Sequence, residues 1–88
     1  MNNKELEKIL KALANKRRIM VLKYLKQSGK VSVGDIAEHI KLSFKSTSRH
    51  LNVLSSVDVL EKEQVGLTVF YFLPKTNHPM TSKLLSII

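Results

Sequence analysis

Lys45, Ser48, Arg49 and Asn52 all carry hydrogen-bond donors, and their spacing of i, i+3, i+4, i+7 places them on one side of a helix. Thr47, Leu51 and Leu54 repeat at i, i+4, i+7 and make a narrow apolar stripe on a different side. Ser43 stands just ahead of them, where its hydroxyl can accept from a free backbone N–H and start the first turn. Arginine's planar fork can pair with the O6 and N7 of a guanine, or it can bind a phosphate. A short helix anchored by apolar residues and presenting donors fits a DNA major groove. An ordinary amphipathic surface helix has the same pattern, so residues 43–56 alone leave both readings open.

Composition narrows the choice. The chain has 88 residues, 43% of them hydrophobic and 25% charged, which describes one small globular domain spanning residues 1–88. A domain of that size buries only roughly 60–65% of its unfolded surface, so a second subunit is a natural source of further burial. Fifteen Lys and Arg against seven Asp and Glu give a net charge of +8 and a pI near 10.0, a balance that favours polyanionic partners. Cysteine is absent, which excludes disulfides, thiolate metal sites and thiol redox sensing within the chain. No apolar run reaches ~18 residues, and Met1-Asn2-Asn3-Lys4-Glu5 has no apolar signal region. A soluble, cytoplasmic protein without a membrane partner is the expectation. No Cys nucleophile, Gly-rich phosphate loop, metal cluster or Ser-His-acid arrangement stands out, so neither an enzyme nor a cofactor is expected.

The elements that must hold residues 43–56 in place can be read in chain order. Asn3 can cap a first helix whose Leu6, Ile9, Leu10 and Leu13 form an apolar stripe, available to the core or to a second subunit. Asn15 can cap a second helix that ends at Ser28 and Gly29, with Ile19, Leu22 and Leu25 (and Val21 beside them) facing inward. Lys16, Arg17 and Arg18 crowd its first turn against the helix dipole, which leaves incidental charge and DNA-phosphate contact as alternatives. Ser32-Val33-Gly34-Asp35 reads as a capping box opening a short third helix with Ile36, Ala37 and Ile40 inward. Lys41-Leu42-Ser43 is then a tight turn without glycine, in which Lys41 has to adopt a tolerated but strained φ unless the turn is of another type.

Beyond Val57 the period changes. Thr68 to Leu73 has strand composition, Gly66 can turn a hairpin, and Pro74 ends it. Pro79 opens a short fifth helix with Met80, Leu84, Ile87 and Ile88 apolar at helical spacing. So few residues do not stay helical alone and must pack on something, with a dimer mate as one candidate. The expected architecture is mainly α with a small β-hairpin, a winged helix-turn-helix in the order α-α-α-α-β-β-α.

Three stretches resemble the bacterial and archaeal ArsR family of small dimeric repressors. They are Leu10 to Leu25, Asp35 to Leu54 with its Ser43, Ser48, His50 and Leu51 run, and Gly66 to Leu73. The resemblance covers most of residues 6–73. It implies a homodimer bound to double-stranded DNA at a palindromic operator. Ser43 would cap the recognition helix, and Phe44, Lys45, Ser48 and Arg49 would face the major groove. The first and fifth helices would supply the dimer interface, through Leu6, Ile9, Leu10, Leu13, Met80, Leu84, Ile87 and Ile88. Periodicity does not pick out Phe44, which could contact a thymine methyl group or tuck back onto the domain.

Several positions depart from the family. Where many relatives carry a Cys-x-Cys metal pair, this chain has Ser32 and Gly34, which cannot bind a soft metal. The fifth helix contains no Asp, Glu or His, and His39, His50 and His78 show no ligand spacing. The expectation is a DNA-binding repressor that does not sense metals, its inducer or partner protein unspecified. Glu61 and Glu63 flank an apolar wing tip of Val65, Gly66 and Leu67, so the wing is expected to add little to phosphate binding. A winged-helix protein-interaction module, or a sequence-indifferent nucleic-acid binder, is the alternative.

Overall fold

The five helices each begin on a side chain that closes the first turn. The computed structural model describes residues 2–88. Asn2 accepts the Glu5 N–H at 2.7 Å and opens α1 (Asn3–Leu13). Asn15 accepts from both Arg17 and Arg18 and opens α2 (Lys16–Ser28), which ends at Gly29 with φ 77°. A two-residue strand β1 (Val31–Ser32) follows, and Ser32 also caps α3 (Val33–Ile40) by accepting from Asp35 at 3.2 Å. Ser43 caps α4 (Phe44–Ser56) through the Ser46 N–H at 3.1 Å. The hairpin is β2 (Glu61–Val65) and β3 (Thr68–Phe72). Finally His78 Nδ1 accepts from Met80 at 3.0 Å to open α5 (Pro79–Ile87), with Pro79 in the first turn. Each cap satisfies donors that the helix itself leaves without partners.

This is the expected winged helix-turn-helix, with three differences in detail. Asn3 is already helical, and Asn2 is the residue that caps α1. Ile19 is only half-buried, because the inner side of α2 turns on Val21, Leu22 and Leu25. The third difference is β1, which pairs antiparallel with β3 (Val31 opposite Tyr71, Ser32 opposite Phe70) and makes a sheet in the order β1-β3-β2. A strand two residues long is too short to show an alternating pattern, so only its partner reveals it.

The apolar stripes meet in one core. Leu22, Ile36, Leu51 and Leu54 are fully enclosed, and Ile9, Leu13, Ile40, Leu60 and Tyr71 close it from the sides. The turn joining α3 to α4 is tight because Lys41 adopts the left-handed region, φ 55° and ψ 52°. Its N–H donates to Glu38 and the Leu42 N–H donates to Ala37, the Schellman pattern that ends a helix sharply. Glycine fits that conformation without strain, so Lys41 carries a local backbone cost that the surrounding bonds must offset.

Candidate nucleic-acid interface

Helix α4 turns its apolar stripe completely inward: Thr47, Leu51 and Leu54 have no accessible surface. What remains outside is the opposite set. Phe44, Lys45, Arg49 and Asn52 are exposed, Ser48 is half-buried, and the Ser43 hydroxyl is engaged as the cap. Among the described residues no carboxylate or carbonyl bonds Lys45 or Arg49, so two cations stand one turn apart with their donors free. Asn52 differs, because its Oδ1 accepts from the Tyr71 hydroxyl at 3.3 Å and ties the helix to β3. Tyr71 is only 4% exposed, and burial pushes its phenol above the ordinary value, which keeps the hydroxyl a donor.

The basic cluster at the start of α2 is bonded in part to the domain itself. Arg17 donates to the carbonyls of Ile40 and Lys41, at the C-terminal end of α3. Arg18 donates to Lys11 and Ala12, at the C-terminal end of α1, at 3.3 and 3.2 Å. Two guanidinium groups therefore meet the negative ends of two neighbouring helices and satisfy carbonyls those helices leave open. That interaction offsets the unfavourable charge at the start of α2. Nη1 of Arg17, and Nε and Nη1 of Arg18, are thus engaged within the domain, while Lys16 stays exposed.

Arg18 also reaches the recognition helix: its Nε donates to His50 Nδ1 at 3.2 Å. No sequence pattern links residues 32 positions apart, and this link was illegible before the fold was known. Burial first, then the charges of Arg18, Arg17 and Arg49, hold the His50 imidazole below 6.5. The folded chain therefore takes up a proton on His50 less readily than the unfolded chain does. Stability present above pH 6.5 should be lost as pH falls from that value through the lower folded-state value. Urea midpoints measured from about pH 7.5 to about pH 5.5 should fall, and His50→Gln should flatten the profile. Parallel profiles for the two proteins would overturn this assignment.

The wing is held to the body by Lys30, whose Nζ lies 2.8 Å from Glu63 and 5.3 Å from the centre of the Phe72 ring. Both charged groups are about half-exposed, so the pair contributes little stability, but it neutralises one of the two wing carboxylates. Gly66 (φ 62°) and Leu67 form the two-residue tip, and Leu67 is fully exposed. His39 stacks on Tyr24 at 3.8 Å, which with the bonds of His50 and His78 gives all three histidines structural contacts.

The expected dimer residues separate into two groups. Ile9 and Leu13 are 5% and 6% exposed in the single chain, so nearly all of their surface is taken up by the chain's own core. The side of α1 that packs on α2 and α4 carries them, and Leu10 (42% exposed) is left outside with half-buried Leu6. On α5, Ile87 is 74% exposed and Met80 is partly so, while Leu84 and Ile88 pack in part against the core.

Residues 15–62 match the sequence model of bacterial regulatory proteins of the arsR family. The chain is 37% identical over 76 residues to the transcriptional repressor SdpR of Bacillus subtilis, covering 86% of this chain and 78% of that protein. It is 35% identical over 83 residues to the transcriptional activator HlyU of Vibrio cholerae, covering 86% of this chain and 76% of that one. Among solved structures, the homodimeric winged helix-turn-helix DNA-binding domain of a possible ArsR-family regulator from Mycobacterium bovis superimposes with a TM-score of 0.80 at 26% identity, covering 96% of this chain and 74% of that chain. Reduced HlyU from Vibrio cholerae does so with a TM-score of 0.80 at 28% identity, covering 98% and 86%.

Proposed function

The chain belongs to the arsR family of bacterial regulatory proteins and is a DNA-binding transcriptional regulator, not an enzyme; from that premise we propose that it acts as a homodimeric repressor of a palindromic operator, in the cytoplasm and without sensing metals. The observation that carries the reading is the division of α4, with three stripe residues wholly enclosed and the Lys45 and Arg49 donors free outside. A rigidly seated helix presenting free cations suits the major groove, where donors meet guanine O6 and N7. Residues 1–88 form one DNA-binding unit whose terminal helices supply the second-subunit contact. The similarity to the repressor SdpR supports the negative sign of regulation.

The donor set does not fit a metal sensor. Ser32 uses its hydroxyl to cap α3 and Gly34 has no side chain, although regulators of cadmium resistance are among the relatives. Among the described residues no group of three or more His, Asp or Glu converges on one point. The test is selection of binding sites from random double-stranded DNA, followed by titration of the selected duplex. One two-fold symmetric site with steep salt dependence is the expected result, with affinity unchanged by stoichiometric zinc, cadmium or arsenite. Sequence-indifferent binding, or release by stoichiometric zinc without precipitation, would overturn the corresponding part.

A further inference from the structure

Phe44 is the one member of the outer side of α4 that cannot donate or accept a hydrogen bond. It sits on the first turn, next to Lys45, and 63% of it is exposed. It is therefore not tucked back onto the domain, and none of the described residues covers most of it. Beside it opens a cleft of about 270 Å³, whose walls include Val33, Val69 and the fully exposed Leu67 of the wing tip. This cleft, which Phe44 itself, Ser32, Gly34 and Thr68 also line, adjoins the first turn of α4, where the neighbouring Lys45 carries a free charge. A polyanion that also carries apolar groups complements that combination better than an apolar protein surface does. In the major groove the apolar group that a base edge presents is the C5 methyl of thymine.

We propose that Phe44 is a specificity-determining residue that recognises a thymine C5 methyl in each operator half-site, with Leu67 and Val69 supplying the opposite wall of the cleft. The proposal rests on the DNA-binding reading of α4 and adds the chemistry of one contact to it. Hydrogen-bonding side chains distinguish base pairs by donors and acceptors, whereas this contact distinguishes them by a methyl group alone.

The experiment uses the full chain and the duplex it selects from random DNA. Each thymine in turn is replaced by deoxyuridine, which removes the methyl and keeps the hydrogen-bonding edge. At one thymine per half-site the affinity should fall about fourfold, the effect of exposing one methyl-sized group, and roughly fifteenfold when both half-sites are substituted. Phe44→Ala should bind the unsubstituted duplex with a similar loss and no longer distinguish thymine from deoxyuridine. The wild-type measurement needs no variant, so it can refute methyl recognition even if Phe44→Ala is poorly folded. Phe44→Leu, which keeps an apolar side chain of similar bulk but removes the ring, then tests the assignment to Phe44 by a reduced deoxyuridine penalty. Equal wild-type affinity for all the deoxyuridine duplexes would refute methyl recognition, as would an unchanged deoxyuridine penalty in folded Phe44→Ala. Either result leaves operator binding by α4 standing, whereas failure to select any DNA sequence overturns that reading and this proposal together.

Discussion

Arg49→Ala is expected to weaken operator binding by about 1–3 kcal/mol in each half-site and to relax preference at one base pair there. The expectation follows from a contrast among the three arginines. Arg17 and Arg18 are engaged by helix-end carbonyls, and Arg18 by His50 as well, while Arg49 projects from α4 with no partner among the described residues. A free guanidinium can form a bidentate pair with guanine, and removing it leaves the base unread without disturbing the core. Arg17→Ala serves as the control with the opposite profile. It leaves the carbonyls of Ile40 and Lys41 without their donor, so it should lower unfolding stability by about 1–3 kcal/mol and change no base preference. Lys16→Ala should weaken all DNA sequences alike and make the salt dependence shallower. Site selection with wild type and Arg49→Ala decides the point: identical preferred sequences would mean that Arg49 positions the helix and does not read.

Periodicity was sufficient for the two helices of the helix-turn-helix, though not for Ile19 on α2. The Thr47, Leu51 and Leu54 stripe, the inward side of α3 and the caps at Asn15, Ser32 and Ser43 all depend on neighbours within two turns, and all were legible. The strained φ at Lys41 was also legible, because a three-residue turn between two helices leaves few conformations. Contacts between distant segments were not. Pairing of β1 with β3, the Lys30–Glu63 bridge and the Arg18–His50 bond join residues whose separation carries no local signal. The same limit explains Arg17 and Arg18. Their charge at a helix start left incidental charge and phosphate contact as alternatives, and the carbonyls of two other helices, distant in sequence, carried no signal there. Ile9 and Leu13 show the limit in another form. A stripe four residues wide states how much apolar surface a helix has, and only packing states which part of it the chain's own core consumes.

The second large effect is expected at what packing leaves over. Leu10 and Ile87 are exposed apolar residues on α1 and α5, two helices that both rest against α2. Leu6 adds to the apolar surface of α1 and Met80 to that of α5, and Leu6, Leu10 and Ala14, with Asn3, Glu7 and Lys11, line a groove on α1. Exposed side chains of this size are favourable to cover, at roughly 1.5–3 kcal/mol each when fully buried. A charge placed there would be buried without a partner in an interface, yet would remain in water in the single chain. Leu10→Glu and Ile87→Glu should therefore fold normally by circular dichroism and fail to associate. Wild type should sediment at micromolar concentration and physiological salt as a dimer of 10.0 kDa chains, and each variant as the monomer. The consequence for DNA is larger than any single base contact. Two linked recognition helices bind half-sites about 34 Å apart, and the second binds at a high effective concentration once the first is seated. Losing that linkage should cost on the order of 10²- to 10⁴-fold in operator affinity, while binding to an isolated half-site stays close to wild type. A wild type that sediments only as a 10.0 kDa species would overturn the dimer, and equal operator affinity in both glutamate variants would place the interface elsewhere on the chain.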